Sequence, residues 1–515
     1  MFKCTEKRIS YFFSFAGGAF GILAFAPFDF TISLLIALSI LFFQLDKAHN
    51  IKTALIHGYL WGLGFFITGL HWFAFALAID IERFFWLIPF ALLAIQGFLA
   101  IYILVFAGLY KIKFKYSILH VYFISICWTL LEWLRGNLFT GFPWILSGYC
   151  FSKHDEISQL ASITGIYGLS FLIALLSSSI YGLVKYKNKI HSFNVSIILT
   201  ILFIIYLYGS QKIHSQQLND TAMPKVLLVQ SGVLAHKPDK NYAFKTFLTH
   251  LELTKTHYKD EDLIIWSESS HPFLIDKAQH HFGDLFKFLQ PDAKVIMGSP
   301  TVTTDATNRE YYWNSMLIVN QQGQIENYYD KVHLVPFGEY IPFQSYLPNI
   351  DIITENMGSY SFKDKMSNIK LNKHDARPLI CYEAIFSNHP EDRSSKAQFI
   401  INITNDNWYG DSIGPYQHFS MAKYRAIEHG VPLIRVAISG ISAIFDSYGR
   451  VEKHIALSQK GVVSAILPQA LKSKPFYSAE LESVLITFLL LCAIIILLFD
   501  RVKMSVDKNV DKAQA

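Results

Sequence analysis

The sequence predicts a polytopic α-helical membrane bundle of about eight transmembrane helices, with one α+β domain inserted before the last span. Three observations predict it. Apolar residues make up 52% of the 515-residue chain and charged residues only 17%, where soluble proteins carry about a quarter charged. Apolar runs long enough for a bilayer gather before residue 210 and again after residue 480. Between them, from Pro224 onward, the pattern turns to short β-branched runs separated by turns and helices.

A hydrocarbon core about 30 Å thick needs roughly 20 apolar helical residues. Candidate spans lie near 9–26, 29–45, 54–79, 85–110, 117–134, 163–184, 194–210 and 482–500, the seventh being short. The first has the look of a leader, with basic residues before an apolar stretch ending Ala24-Phe25-Ala26. Pro27 directly after it argues against cleavage, and the segment is read as a helix. Basic residues then set the orientation, because cytoplasmic loops collect Lys and Arg. Lys3, Lys7 and Arg8, then Lys47 and Lys52, Lys111 to Lys115, Lys185 to Lys189, and Arg501 with Lys503 mark every second connection. The intervening loops are mixed or acidic, with Asp80, Glu82 and Arg83, or Lys153, Asp155 and Glu156. Both termini are therefore expected in the cytoplasm and the large insert outside it. The expected domains are 1–212 with seven spans, 220–470 soluble, 480–502 as the last span and 503–515 as a polar, disordered cytoplasmic tail.

Within the insert, strands are expected at 225–230, 262–268, 294–300, 313–319, 377–383, 398–404, 433–439, 442–449 and 461–467. Helices are expected at about 242–257 and 415–429, the second with Pro415 just inside its start and Gly430 just past its end. The net charge of +5 decides nothing about partners, and no nucleic-acid partner is expected. No metal or cofactor is expected: His280 and His281 are sequence neighbours rather than a helix-face pair, and His333 reads as a loop residue.

Cys381 is the only cysteine between about 215 and 480, so its sulfur is either buried filler or a nucleophile. Glu268 and Lys331 share its placement at or just beyond an apolar run, where open α/β folds present catalytic side chains. A carboxylate can take the thiol proton, and an ammonium can stabilise the negative charge that follows. Each residue taken singly also has an ordinary structural reading, as filler, solvated strand end or surface lysine.

At these residues the chain resembles the nitrilase, or carbon-nitrogen hydrolase, superfamily, and its membrane context resembles the apolipoprotein N-acyltransferase family. The likeness rests on "WSESSHPF", "DKVHLVPFGEYIPF", "LICYEAIF" and the block from 405 to 449 in the soluble part. In the membrane part it rests on "LAFAPFDF", "WGLGFFITGLHWF" and "EWLRGNLFTGFPW". The resemblance implies an αββα sandwich with Glu268 as general base, Lys331 as oxyanion-stabilising lysine and Cys381 as nucleophile. It implies supporting positions at Glu339, Tyr382 and Glu383: Glu339 either orients Lys331 or moves protons, Tyr382 acts chiefly through its backbone N–H, and Glu383 braces a loop. The family commonly carries a Trp just after the first soluble strand, and "VQSGVLAHKPDKNYAF" has none. The implied activity is transfer of an acyl chain from a phospholipid, by way of a Cys381 thioester, to the α-amine of a diacylglyceryl-modified apolipoprotein at the bacterial inner membrane. Phe337, Tyr340, Phe343, Tyr346 and Leu347 could dip into the lipid interface, or simply pack. Glu132 and Arg135 share one helix face, as a functional path or an ion pair supporting the fold. Two alternatives stand beside this reading: a membrane-anchored extracytoplasmic amidase, and a catalytically inactive lipoprotein-binding membrane protein.

Overall fold

A computed structural model describes the chain except for residues 1, 79–84, 87, 216–217, 235–240, 278–279, 343–359, 388–396 and 515. The loop of Asp80, Glu82 and Arg83 and the aromatic and apolar residues Phe343, Tyr346 and Leu347 lie outside the described residues. The chain divides into two compact units, Met1–Gln216 with Pro475–Ala515, and Gln217–Lys474.

The first unit is helical: α1 Phe2–Gly21, α2 Ile32–Lys47, α3 Ile51–Gly69, α4 Phe73–Ala78, α5 Ile88–Tyr110, α6 Ser117–Asn137, α7 Ala161–Tyr186, α8 Lys189–His214, and a C-terminal helix Ala479–Gln514. Among the described residues, five helical stretches are long and apolar enough to cross a membrane: those of α5 to α8 and Ala479–Lys503. Their outer faces carry bare apolar side chains, among them Phe193 (68% exposed), Phe203 (59%) and Ile495 (62%). Such faces are stable in lipid and not in water. α1 and α3 touch through glycines, since a Cβ on Gly18 would sit 1.9 Å from the Trp61 carbonyl oxygen and one on Gly64 2.0 Å from that of Phe15.

Three expectations need correction here. The third span does not run to residue 79; α3 stops at Gly69 and the chain turns before α4, because "GLHW" interrupts the apolar run. The seventh is not short, since polar residues at both ends extend α8 to 26 residues. The tail after Lys503 is not disordered but continues the last helix to Gln514, as adding a turn to an existing helix carries no nucleation cost.

The second unit stacks two sheets. One runs β13-β1-β2-β4-β5-β6, with β3 beside β4: β1 Lys225–Gln230, β2 Leu263–Ile265, β3 Ile275–Asp276, β4 Lys294–Thr304, β5 Glu310–Val319, β6 Ile325–Asp330 and β13 Gly461–Ile466. The other runs β12-β11-β10-β9-β8-β7: β7 Ile369–Leu371, β8 His374–Ile380, β9 Phe399–Thr404, β10 Leu433–Ala437, β11 Ser442–Phe445 and β12 Val451–Ile455. Period-two alternation sends Val226, Leu228 and Ile265 to the inter-sheet core with Leu379, Ile401 and Ile403. Leu227, Val229 and Ile264 point the other way, onto Phe247 of α9 (Tyr242–His257). Each such side chain contributes about 1.5–3 kcal/mol when fully buried. α10, Gly414–His429, starts with Pro415 and ends on Gly430 at φ 65, whose N–H closes on the Ala426 carbonyl. The unit's ends meet: Leu218 bridges Leu471, and Asn219 N donates to Ala470 O at 2.8 Å.

The β2 strand is shorter than the expected 262–268, stopping at Ile265, and the run 377–383 ends as strand at Ile380, giving way to a 3-10 turn over Cys381–Ile385. In both places the chain leaves the sheet just where the ionisable residues begin.

Candidate active site

Glu268 follows β2, Lys331 follows β6 and Cys381 follows β8. Three strands thus deliver three functional groups from their C-terminal ends. Gly298 on β4 lets the first of these turns pass, since a Cβ there would lie 2.6 Å from the Glu268 Cα.

The three groups and Glu339 converge in a buried cluster. Lys331 Nζ donates to Glu339 Oε1 at 2.8 Å and lies 3.6 Å from Glu268 Oε1. Asn314 on β5 joins the two carboxylates, its Nδ2 donating to Glu268 Oε1 and to Glu339 Oε1, each at 2.8 Å. Glu339 Oε2 accepts from Val335 N at 2.8 Å, which ties the loop to the cluster. Glu268 Oε2 is buried with no other protein group bonded to it among the described residues, and the Cys381 thiol acts on this carboxyl as a hydrogen-bonding neighbour. One oxygen is anchored and the other is free to take a proton.

Burial raises Glu268 above the ordinary carboxylate range; Lys331 opposes that shift and Glu339 adds to it, and the net direction is up. Burial would lower the Lys331 ammonium, but Glu339, Glu268 and Cys381 outweigh it and hold the charge in place. Burial and the Glu268 charge push the Cys381 thiol up, with Lys331 working against them. At rest the thiol keeps its proton, beside a carboxylate of raised proton affinity and a permanent cation.

Cys381 itself sits at φ 49, in the left-handed region. For a residue with a Cβ this conformation costs about 1–3 kcal/mol and persists only where its surroundings hold it. Glu383 is part of that hold. Its Oε2 accepts from Ile380 N at 2.7 Å, and its Oε1 accepts from Tyr329 Oη (2.8 Å), Val332 N (2.7 Å) and His333 N (3.1 Å). It staples the Cys381 turn to the segment that carries Lys331. Burial pushes its carboxyl up to about 7 against Ile380 N, Lys331, Val332 N and the Tyr329 hydroxyl. The Tyr382 ring packs edge-on against Phe386 (5.1 Å) and His333 (5.7 Å) and is 5% exposed. Its ring is packing material, and its N–H lies in the turn that Cys381 opens.

Asn314 was not among the residues singled out in the sequence. A lone amide inside "WNSMLIV" carries no signal of its own; only its inward alternation on β5 would have pointed to it. Among the described residues no His, Cys, Asp and Glu group could hold a metal ion. Phe337, beside the site loop, is 64% exposed.

A buried thiol, a carboxylate with one free oxygen and an ammonium at strand ends of a two-sheet sandwich define a carbon-nitrogen hydrolase type of domain, and residues 228–473 match that family. Residues 17–179 match the N-terminal domain of apolipoprotein N-acyltransferases. The apolipoprotein N-acyltransferase of Rickettsia prowazekii (strain Madrid E) is 34% identical over 458 residues, 88% of this chain and 91% of that protein. That of Rhizobium rhizogenes is 32% identical over 477 residues, 89% of this chain and 90% of the relative. The chain belongs to the apolipoprotein N-acyltransferase family. Among solved structures, the CN-hydrolase superfamily protein XC1258 of Xanthomonas campestris is 17% identical, with a TM-score of 0.36, covering 48% of this chain and 91% of its own.

Proposed function

We propose that this acyltransferase carries its acyl group on Cys381, taking it from a membrane phospholipid and passing it to the N-terminal α-amine of a diacylglyceryl-modified apolipoprotein. Glu268 Oε2 accepts the thiol proton as sulfur attacks the ester carbonyl. Lys331 and the Tyr382 N–H stabilise the oxyanion. Collapse breaks the carbon–oxygen bond, Glu268 returns the proton to the leaving alkoxide, and lysophospholipid departs. The amine then attacks the thioester, Glu268 takes its proton, and the thiolate leaves and is reprotonated as the amide forms. No redox partner enters the balance.

The observation that carries this reading is the split role of Glu268: one oxygen held by Asn314 and near Lys331, the other bonded to no other protein group among the described residues. The raised thiol suits a nucleophile that is released only when substrate arrives, which protects it from water and oxidants. The amidase alternative has no observation of its own in its favour, and neither has an inactive binding protein.

For topology, we infer about eight spans in a bacterial inner membrane, with both termini cytoplasmic and the catalytic unit periplasmic. The alternation of basic connections supports it, from Lys7 and Arg8 through Lys111 to Lys115 to Arg501 and Lys503. Acyl donors and acceptors with buried chains favour such a site, because moving each CH₂ into water costs about 0.8 kcal/mol.

The test is mass spectrometry of the purified protein after incubation with phospholipid alone. A hydroxylamine-sensitive acyl adduct on Cys381, absent in Cys381→Ser, is expected. An unmodified Cys381 in protein that turns over would rule the thioester route out, and amide hydrolysis without a lipid donor would favour the amidase.

A further inference from the structure

Behind the nucleophile turn lies a buried polar cluster that the proposed chemistry does not use. His418 on α10, Asp406 in the turn after β9 and Arg435 on β10 are each no more than 1% exposed. His418 Nε2 lies 3.1 Å from the carbonyl oxygen of Cys381. A carbonyl only accepts, so Nε2 bears the hydrogen. The other ring nitrogen, Nδ1, meets Arg435 Nη2 at 3.0 Å, a group that only donates. The same guanidinium nitrogen donates to Asp406 Oδ1 (3.0 Å) and Oδ2 (2.7 Å). Asp406 Oδ1 also accepts from Thr404 Oγ1 at 3.0 Å and lies 2.9 Å from Nδ1. Burial and then Arg435 lower His418 below its ordinary value. Burial would raise Asp406, but Arg435 and His418 outweigh it and hold the carboxyl at about 2. The Cys381 carbonyl fixes a hydrogen on Nε2 whatever Nδ1 carries between Asp406 and Arg435.

The carbonyl that receives this hydrogen belongs to the same peptide unit as the Tyr382 N–H. A hydrogen bond accepted by an amide oxygen polarises the amide and strengthens its N–H as a donor. It also fixes the rotation of the peptide plane next to a residue held at φ 49, a conformation the surroundings have to enforce.

We propose that His418, held by Arg435 and Asp406, is a positioning residue of the oxyanion site, which orients and polarises the Cys381–Tyr382 peptide so that its N–H meets the developing negative charge. The proposal rests on Cys381 being the nucleophile.

The experiment compares two reactions of one thiol in the full-length protein in detergent micelles. Acylation by phospholipid builds an oxyanion; alkylation by iodoacetamide forms a carbon–sulfur bond with loss of iodide and builds none. His418→Phe should slow acylation by about 10²-fold, the usual effect of losing one oxyanion donor. The KM for phospholipid and the alkylation rate should stay within about twofold. His418→Gln, whose amide can still donate, should recover at least about tenfold of the loss. Equal losses in both reactions, wild-type acylation in His418→Phe, or no recovery in His418→Gln overturns the proposal. If His418→Phe does not fold, His418→Met, which also lacks an N–H for the Cys381 carbonyl, supplies the same comparison. Failure of the nucleophile reading looks different: wild-type protein then carries no adduct before any substitution is made.

Discussion

Replacing Asn314 with aspartate exchanges one heavy atom and tests the whole charge arrangement of the site. The side-chain amide nitrogen lies 2.8 Å from one oxygen of Glu268 and 2.8 Å from one of Glu339. An ionised oxygen in its place would face two carboxylates at that distance. At an effective dielectric near 20, each such pair repels by about 6 kcal/mol, equivalent to roughly four pKa units. Lys331 already serves both glutamates and no other cation pairs with either among the described residues, so the site answers by keeping an extra proton. Glu268 is already raised by burial, and a base must be deprotonated to act. A further rise then cuts the competent fraction at neutral pH by at least about tenfold. The rising limb of the rate–pH profile moves to higher pH. Asn314→Ala is the control: it removes two charge-assisted hydrogen bonds, worth about 1.5–3 kcal/mol each, and adds no charge. The assay is single-turnover acylation of Cys381, followed by intact-protein mass spectrometry from about pH 5 to 9, with circular dichroism to verify folding. Asn314→Asp that acylates at the wild-type rate at neutral pH, with an unmoved limb, refutes the reasoning.

Two further outcomes are expected. Glu383→Gln turns one oxygen into a donor facing another donor, Ile380 N or the group on the other side. Thermal unfolding in detergent should show a loss of about 1–3 kcal/mol, with slower acylation and unchanged phospholipid KM; an unaltered transition would count against the staple. In the membrane unit, Glu132 accepts from Ser147 N and Oγ at 2.8 Å, while Arg135 Nη1 donates to Phe142 O and Trp144 O. Glu132→Ala should destabilise the protein by about 1–3 kcal/mol by leaving the buried Ser147 N–H and hydroxyl without their acceptor. Acylation per folded molecule should be unchanged, and a selective loss of rate would mark the pair as functional.

Much of this arrangement was legible before the structure, for identifiable reasons. β1, β9 and β10 are β-branched runs buried on both faces, and α10 carries its punctuation in Pro415 and Gly430. Glu268, Lys331 and Cys381 stood out by ending or following such runs, and they are indeed brought into one region of the fold. The short or edge strands were missed: Ile275–Asp276, Ile325–Asp330, Ile369–Leu371 and Val451–Ile455. "IENYYD" and "VEKHI" are polar where they face solvent, and only a neighbouring strand makes them strands. Asn314, His418, Asp406 and Arg435 were illegible as a group for a related reason. Their partners lie between 17 and 46 positions away in most of the bonds described, and no local pattern records a pairing made by the topology.

The bridge between Leu218 and Leu471 has a consequence beyond packing. Strand partners of this kind stand about 5 Å apart, so more than two hundred residues of catalytic machinery begin and end almost at one point. A few residues joining Leu218 to Leu471 could close the chain in the unit's place. The unit is therefore a cassette: it could be excised, exchanged for that of a relative or grafted between other pairs of helices, with joints confined to residues near 217 and 474. Evolution of donor and acceptor preference could proceed by swapping such cassettes as well as by single substitutions.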